Sequence, residues 1–327
     1  MALVVQKYGG TSVGDLERIH KVAQRIQHYR ERGNQLAVVV SAMGRTTDEL
    51  IAMAKRVNPR PPARELDMLV TIGEQQSAAL LSMQLQAMGI PARAFSQSQL
   101  GFTTDGRFGN ARILSVEPKM IRAALDRGEV AVVTGFMGTT PEGELTTLGR
   151  GGSDTTAVAL AAALGAKECE IFTDTEGVYT TDPHAVPAAQ KLPSIGYDQM
   201  LEMAALGAGV LHSRSVWYGK KYGVTIHVRS SFSYNPGTLV TEAAMELGRA
   251  VTGVALDDEH AQIGLVGIPD RPGVAARVFE ALGRAGVAVD MIIQGVPGHD
   301  PSRTQMAFTV NQDFAEDAMD ALEPLLR

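Results

Sequence analysis

Apolar residues along this chain fall into two alternating rhythms. Residues 2–8 (ALVVQKY) form a valine-rich run stopped by Gly9-Gly10, which reads as a buried strand. From Ser12 to His28 the spacing turns helical, with Val13, Leu16, Ile19, Val22, Ala23 and Ile26 on one face and Gly33-Asn34 as the stop. Leu36–Val40 is a second buried strand, and Thr46–Val57 a helix broken by Pro59, Pro61 and Pro62. The pattern then predicts one long helix from Arg64 to Met88, a strand at Pro91–Phe95 and a polar, glycine-rich hairpin or flap at 101–110. Arg112–Val116, a helix from Pro118, a strand at Val130–Thr134, a glycine-rich loop, a helix over Ser153–Leu164 and a strand over Glu170–Thr173 follow. Nearly all-apolar strands alternating with helices predict an α/β fold, a largely parallel sheet sandwiched by helices. Such sheets bind ligands at the carboxyl ends of their strands.

The rhythm changes near residue 237. PGTLV closes a first domain, 1–240; 241–260 reads as a linker, with TEAAMELGRA at 241–250 as connector. From Ala261 the order is strand (QIGLVGI), helix (Pro272–Gly286), strand (Val287–Ile293), strand (Thr304–Val310), helix (Phe314–Leu326). This βαββα run over 261–327 lacks one strand of a ferredoxin-like βαββαβ unit.

Four stretches could carry chemistry, and all follow strands or lie in the long helix. In KYGGTS, Lys7 to Ser12, the glycines let backbone amides approach an anion, the next helix offers its N-terminus, and Lys7 adds a mobile charge. A tight turn with a surface lysine fits the same letters, and a Walker A loop does not. In TTLGRGGSD, Arg150 sits between glycines with its fork available to a carboxylate or phosphate, while Ser153 and Asp154 are explained by helix capping alone. FTDTEGVYTTDPH, Phe172 to His184, suits a nucleotide or a plain turn-rich loop. Glu74, in TIGEQQS, is by default solvated surface, although Ile72, Ala78 and Leu81 suggest a partly buried helix. Ser41, Thr46 and Thr47 follow the second strand, as ligand hydroxyls or as caps.

Composition narrows the classes. Thirty-six acidic against 30 basic residues give a net charge of −6, so nucleic acid is not an expected partner. The longest apolar runs are far below the roughly 20 residues of a membrane span, and MALVVQKYGG has no signal-peptide pattern. The single cysteine, Cys169, excludes internal disulfides. A cytoplasmic protein is expected. The seven histidines show no metal-ligand spacing, and neither a Gly-x-Ser-x-Gly elbow nor a GxGxxG is present.

KYGGTSV at 7–13, TTLGRGGSD at 146–154 and TDTEGVYTTDP at 173–183, in this order, closely resemble aspartate kinase, a branch of the amino acid kinase family. GIPDRPGVA at 267–275 and VDMIIQ at 289–294 resemble the first ACT domain of the same family, a module that binds amino-acid effectors. The resemblance implies phosphorylation of the L-aspartate side chain by ATP, with accompanying Mg²⁺ and no metal held by the protein alone. It implies Lys7 and Asp154 as catalytic residues, and Ser41, Thr47, Glu74, Arg150 and Ser153 around the aspartate. Lys7, Tyr8, Gly9, Gly10, Ser12, Gly151, Gly152, Thr173, Asp174, Tyr179, Asp182 and His184 would hold the nucleotide. Asp270, Arg271, Pro272, Gly273, Val274, Ala275, Asp290 and Gln294 would bind an effector, lysine or threonine or both.

Two departures from the family pattern bear on this. His184 stands where many members have arginine, and LHSRSV at 211–216 replaces a commoner His-Pro, implying a changed turn. The chain also stops short of a second ACT domain, so truncation or membership of a larger regulatory unit is expected. MELGRAVTG, from Met245, resembles the start of the separate regulatory subunit that some members make, so a homo-oligomer or a regulatory partner through ACT domains is implied. The competing readings are another amino acid kinase, for glutamate, acetylglutamate or UMP, and a non-catalytic amino-acid sensor.

Overall fold

The computed structural model describes residues 2–242, 251–256, 260–295 and 302–325. Most of the 241–250 connector and Met245 lie outside the described residues. The chain divides into two compact units, Met1–Leu256 and Asp257–Arg327.

The first unit opens with β1 (Leu3–Tyr8), α1 (Leu16–Glu31), β2 (Gln35–Val40) and α2 (Thr46–Val57). Helix α1 begins at Leu16 and not at Ser12, because Asp15 is its cap, accepting from the Arg18 amide at 2.8 Å. The long helix expected over 64–88 is two, α3 (Ala63–Val70) and α4 (Ile72–Ala87). At the junction the Thr71 hydroxyl donates to the Met68 carbonyl at 3.0 Å, and Gly73 packs where a Cβ would stand 2.8 Å from that of Ala42. The chain continues through β3 (Ala92–Phe95), α5 (Gln97–Leu100), β4 (Phe102–Thr104), β5 (Ile113–Val116), α6 (Lys119–Asp126), β6 (Val130–Thr134), β7 (Met137–Thr139) and β8 (Leu145–Thr147). The expected flap and glycine-rich loop thus hold short strands, which pair as a second sheet in the order β5-β4-β7-β8. Next come α7 (Gly152–Leu164), β9 (Glu168–Thr173), β10 (Ser194–Ile195), α8 (Tyr197–Ala205), α9 (Ser213–Tyr222), β11 (Thr225–Ser230) and β12 (Thr238–Val240).

The main sheet runs β10-β12-β11-β9-β1-β2-β6-β3, parallel at every pairing but β11 with β12. Successive residues of one strand enter opposite cores. Ala37, Val39, Ala131 and Val133 meet α6 and α7 on one face, while Leu36, Val38, Val130 and Val132 meet α1 and α4 on the other. Two buried faces are why these strands read as unbroken apolar runs. The chain leaves β1 for β2 on one side and returns as β9 on the other. The carboxyl ends of β1 and β9 therefore flank the crevice where ligands enter such sheets.

The second unit is β13 (His260–Pro269), α10 (Val274–Arg284), β14 (Val289–Gln294), β15 (Arg303–Asn311) and α11 (Ala315–Leu322), the expected βαββα order. Its antiparallel sheet is ordered β13-β15-β14 and packs both helices over Leu265, Val278, Leu282, Phe308 and Leu322. No helix among the described residues is long and apolar enough to cross a membrane.

Candidate active site

Lys7 points from the end of β1 into the crevice, where its Nζ lies 2.7 Å from Oδ1 of Asp154 in the first turn of α7. Both side chains are nearly buried, 12% and 11% exposed, so the pair is shielded from bulk solvent. Gly10 and Gly151 are sterically required. A Cβ at Gly10 would stand 2.9 Å from the Ala42 carbonyl oxygen. Gly151 adopts φ 67°, and a Cβ there would fall 2.2 Å from that of His212.

Capping does not explain Ser153 and Asp154. Gly151 is the N-cap of α7, with no side-chain capping bond. The Ser153 hydroxyl instead donates to Oε1 of Glu74 at 2.9 Å. Glu74 is not solvated surface either; it is 4% exposed on the inner face of α4. Burial pushes its pKa up to about 8, against the opposing pull of the Ser153 hydrogen bond, the Lys7 charge and the nearby Ala42 amide. Its second oxygen, Oε2, is buried with no hydrogen-bond partner. A buried carboxylate oxygen left in this state is costly, and a cationic group brought beside it would remove the cost.

Asp67 was missed by sequence reasoning, although it lies on α3, the helix just before the one that carries Glu74. It accepts from the Gly109 amide at 2.9 Å, the Thr147 amide at 2.9 Å and the Thr147 hydroxyl at 2.7 Å. Burial raises its pKa, opposed by these bonds. It anchors the strand that leads into Leu148-Gly149-Arg150. Arg214, also missed, donates to the carbonyls of Leu148 at 2.9 Å and Ala111 at 3.3 Å and to the Asn110 side chain. In the LHSRSV stretch His212 caps α9, its Nδ1 accepting from the Arg214 amide at 3.3 Å. Burial lowers the His212 pKa, helped by the Arg214 and Arg150 charges and opposed by Asp154. Arg150 itself is exposed at the rim of this loop.

Thr173, Asp174, Tyr179, Asp182 and His184 line a single cavity of about 320 Å³ together with Met203, Val210 and Leu256. The Thr173 hydroxyl donates to Asp174 at 3.1 Å, and Asp182 accepts from the His184 amide at 2.8 Å. Other expected residues are placed differently. The Tyr8 ring is buried and stacked on Phe172, 4.7 Å between centroids, so that its backbone and not its ring borders the glycine loop. The Ser12 hydroxyl is bonded to that of Ser231 at 2.5 Å. Ser41 and Thr47 are half-buried after β2, and Thr46 donates to the Met43 carbonyl at 2.7 Å.

Glu168, Glu170 and His227 converge closely enough for a metal. The oxygens of Glu170 are already taken by Gln6 at 2.8 Å and by Tyr29 and Arg229 at 2.6 and 2.8 Å. Glu168 is bonded to His227 at 2.9 Å, so the trio is a hydrogen-bonded network across neighbouring strands. In the second unit Asp270 to Ala275 and Gln294 line another cavity of about 320 Å³. Asp290 is exposed on β14 and does not line it.

Residues 2–230 match the amino acid kinase family model, and residues 263–324 match an ACT domain model. The chain is 78% identical over 326 residues to an aspartokinase of Thermus thermophilus, spanning 100% of this chain and 80% of that protein. It is 49% identical to an aspartokinase of Mycolicibacterium smegmatis, over 99% and 78% of the two chains. A solved structure of E. coli aspartokinase III in complex with aspartate and ADP superimposes with a TM-score of 0.78 at 27% identity, over 94% and 78% of the two chains. The family model, these relatives and the shared fold show that the chain belongs to the aspartokinase branch of the amino acid kinase family.

Proposed function

We propose that the chain transfers the γ-phosphoryl group of ATP to the side-chain carboxylate of L-aspartate, giving ADP and 4-phospho-L-aspartate. The observation that carries this reading is Glu74, a buried carboxylate with one unpartnered oxygen, joined through Ser153 to the turn that bears Asp154 and its partner Lys7. The ammonium group of an amino acid suits the buried Oε2, and the rim guanidinium of Arg150 suits the α-carboxylate. The two grips aim the side-chain carboxylate toward Lys7. Thr173, Asp174, Tyr179, Asp182 and His184 supply the nucleotide side.

A carboxylate is already ionised at neutral pH, so the acceptor needs no general base. One of its oxygens forms the new bond to the γ-phosphorus, and the bond from that phosphorus to the β,γ-bridging oxygen breaks, leaving the electron pair on ADP. Catalysis then rests on positioning and charge neutralisation. Lys7 and the amides at the start of α7 face the phosphates, and Asp154 holds the lysine in place. Mg²⁺ accompanying the nucleotide would supply further neutralisation, and the carboxylates of Asp154 and Asp174, hard oxygen donors, would hold it.

In the second unit, the cavity at Asp270–Ala275 and Gln294 supports an amino-acid effector such as lysine or threonine. Met291, Ile292 and Ile293 are 57%, 52% and 49% exposed on edge strand β14, which supports pairing with another ACT domain, in a second copy or a regulatory chain.

The test is ADP release with L-aspartate, L-glutamate or no acceptor, with the acyl phosphate trapped by hydroxylamine. Turnover and hydroxamate that require L-aspartate are expected. ATP turnover with another acceptor and none with aspartate overturns the reading.

A further inference from the structure

Helix α1 carries an arginine where its pattern calls for an apolar residue. Arg25 lies between Val22, Ala23 and Ile26 on the core side and is 5% exposed. Its guanidinium spends its donors on three backbone carbonyls of one loop: Ser230 at 3.0 Å from Nη1, and Ser231 and Ser233 at 3.2 and 2.7 Å from Nη2. Its faces are covered by aromatic rings, Phe172 at 4.7 Å and Tyr234 at 4.5 Å. A buried cation matched only to neutral acceptors is a poor device for stability, because apolar packing of equal volume does as well. It is a good device for holding a loop in one place, since a planar fork satisfies several carbonyls at fixed angles.

What this loop touches gives the placement a consequence. The Ser231 amide donates to the Thr173 carbonyl at 2.8 Å, and the Ser231 and Ser12 hydroxyls are bonded at 2.5 Å. Phe172, under the Arg25 guanidinium, accepts from the Gly9 amide at 3.3 Å and stacks on Tyr8. Seven residues earlier on the same helix face, Arg18 donates to the Thr11 carbonyl at 2.6 Å and covers Phe232. The end of β9, which lines the nucleotide cavity, and the glycine loop after β1 are thus tied to one loop, and Arg25 holds that loop through three of its carbonyls.

We infer that Arg25 is a positioning residue for nucleotide binding, holding residues 230–233 so that the glycine loop and Thr173 keep their spacing. It touches neither substrate. The inference rests on the nucleotide side of the proposed reading but not on the identity of the acceptor.

The experiment compares the full chain with Arg25→Met, Arg25→Lys and Ser231→Ala, measuring ATP affinity by calorimetry without acceptor, the KM for each substrate, kcat and melting temperature. Arg25→Met should weaken ATP binding and raise the KM for ATP about tenfold or more, the scale of one lost hydrogen bond to a charged group. Arg25→Lys should recover part of the loss, and the KM for aspartate should stay within about twofold. The effect of Ser231→Ala should not add to that of Arg25→Met, because both release the same loop. Unchanged ATP affinity in folded Arg25→Met overturns the inference, as does a lower melting temperature with both KM values unaltered. If Arg25→Met does not fold, Arg25→Lys and Ser231→Ala decide by the same readings. A wild-type chain that binds ATP but leaves aspartate unphosphorylated refutes the acceptor, while the calorimetric arm still judges Arg25.

Discussion

The main sheet of the first unit and the sheet of the second unit bury their strands to opposite degrees. Every residue of β6 is buried, as is all of β2 after Gln35. In β14 five of six residues are exposed, Met291, Ile292 and Ile293 among them. Helices cover both faces of the first sheet, so its rigidity is available to the crevice at its carboxyl ends. The sheet of the second unit is covered on one face and ends on an apolar edge. A closed sheet suits a site that must hold charges at fixed distances, and an open one suits a module that acts through association.

The largest expected effect tests whether the closed unit exists to hold charge in place. Lys7→Ala should lower kcat about 10²- to 10³-fold, the cost of one preorganised contact to developing charge, with little change in the KM for aspartate. Steady-state kinetics on purified, folded variant check this, and an unchanged kcat would break the link between burial and catalysis.

A matched pair of core and edge deletions sharpens the contrast itself. Leu81 is fully buried against α1 and the main sheet, so Leu81→Ala should cost about 2–5 kcal/mol in denaturant unfolding. Ile292→Ala, on the open edge, should cost under about 0.5 kcal/mol in the dissociated chain. It should instead weaken self-association or capture of an ACT-bearing partner, read by analytical ultracentrifugation, with turnover of the dissociated chain unaltered. Equal unfolding costs would erase the distinction between the sheets.

The smallest effect is a pH dependence. The folded pKa of Glu74 is raised from 4.5 to about 8, so between these values the native state holds a proton that the unfolded chain releases. Stability contributed at this site is therefore present below pH 4.5 and is lost as pH rises toward and past 8. A substrate ammonium group needs the ionised form, so the KM for aspartate should fall severalfold between about pH 6 and 8.5. Glu74→Gln should bind aspartate weakly, flatten this profile and gain stability relative to wild type as pH rises. A KM profile identical in wild type and Glu74→Gln removes Glu74 from the substrate side.

Much of this was legible in the order of residues. The parallel sheet, the βαββα tail, the glycine loop after β1 and the candidate residues beside β9 all follow from local patterns. These are apolar runs of strand length, helical spacing, glycine where backbone must approach a ligand, and three motifs in a fixed order. Local rules read the local surroundings of each residue, and they misled where a side chain is used far from its neighbours in sequence. Ser153 and Asp154 have the composition of a cap, yet one bonds a glutamate 79 positions earlier and the other pairs with Lys7. Glu74, Asp67 and Arg25 are charged letters on helices, which by default face water. Burial and partners came to them through contacts between elements remote in the chain: α4 against the start of α7, α3 against β8, and α1 against the loop after β11. A buried charge is stable only when distant groups converge on it, and that convergence is a property of the packed fold. The sequence alone thus determined the architecture and the residues within reach of a ligand; the tertiary structure decided which of them are charged, buried and aimed.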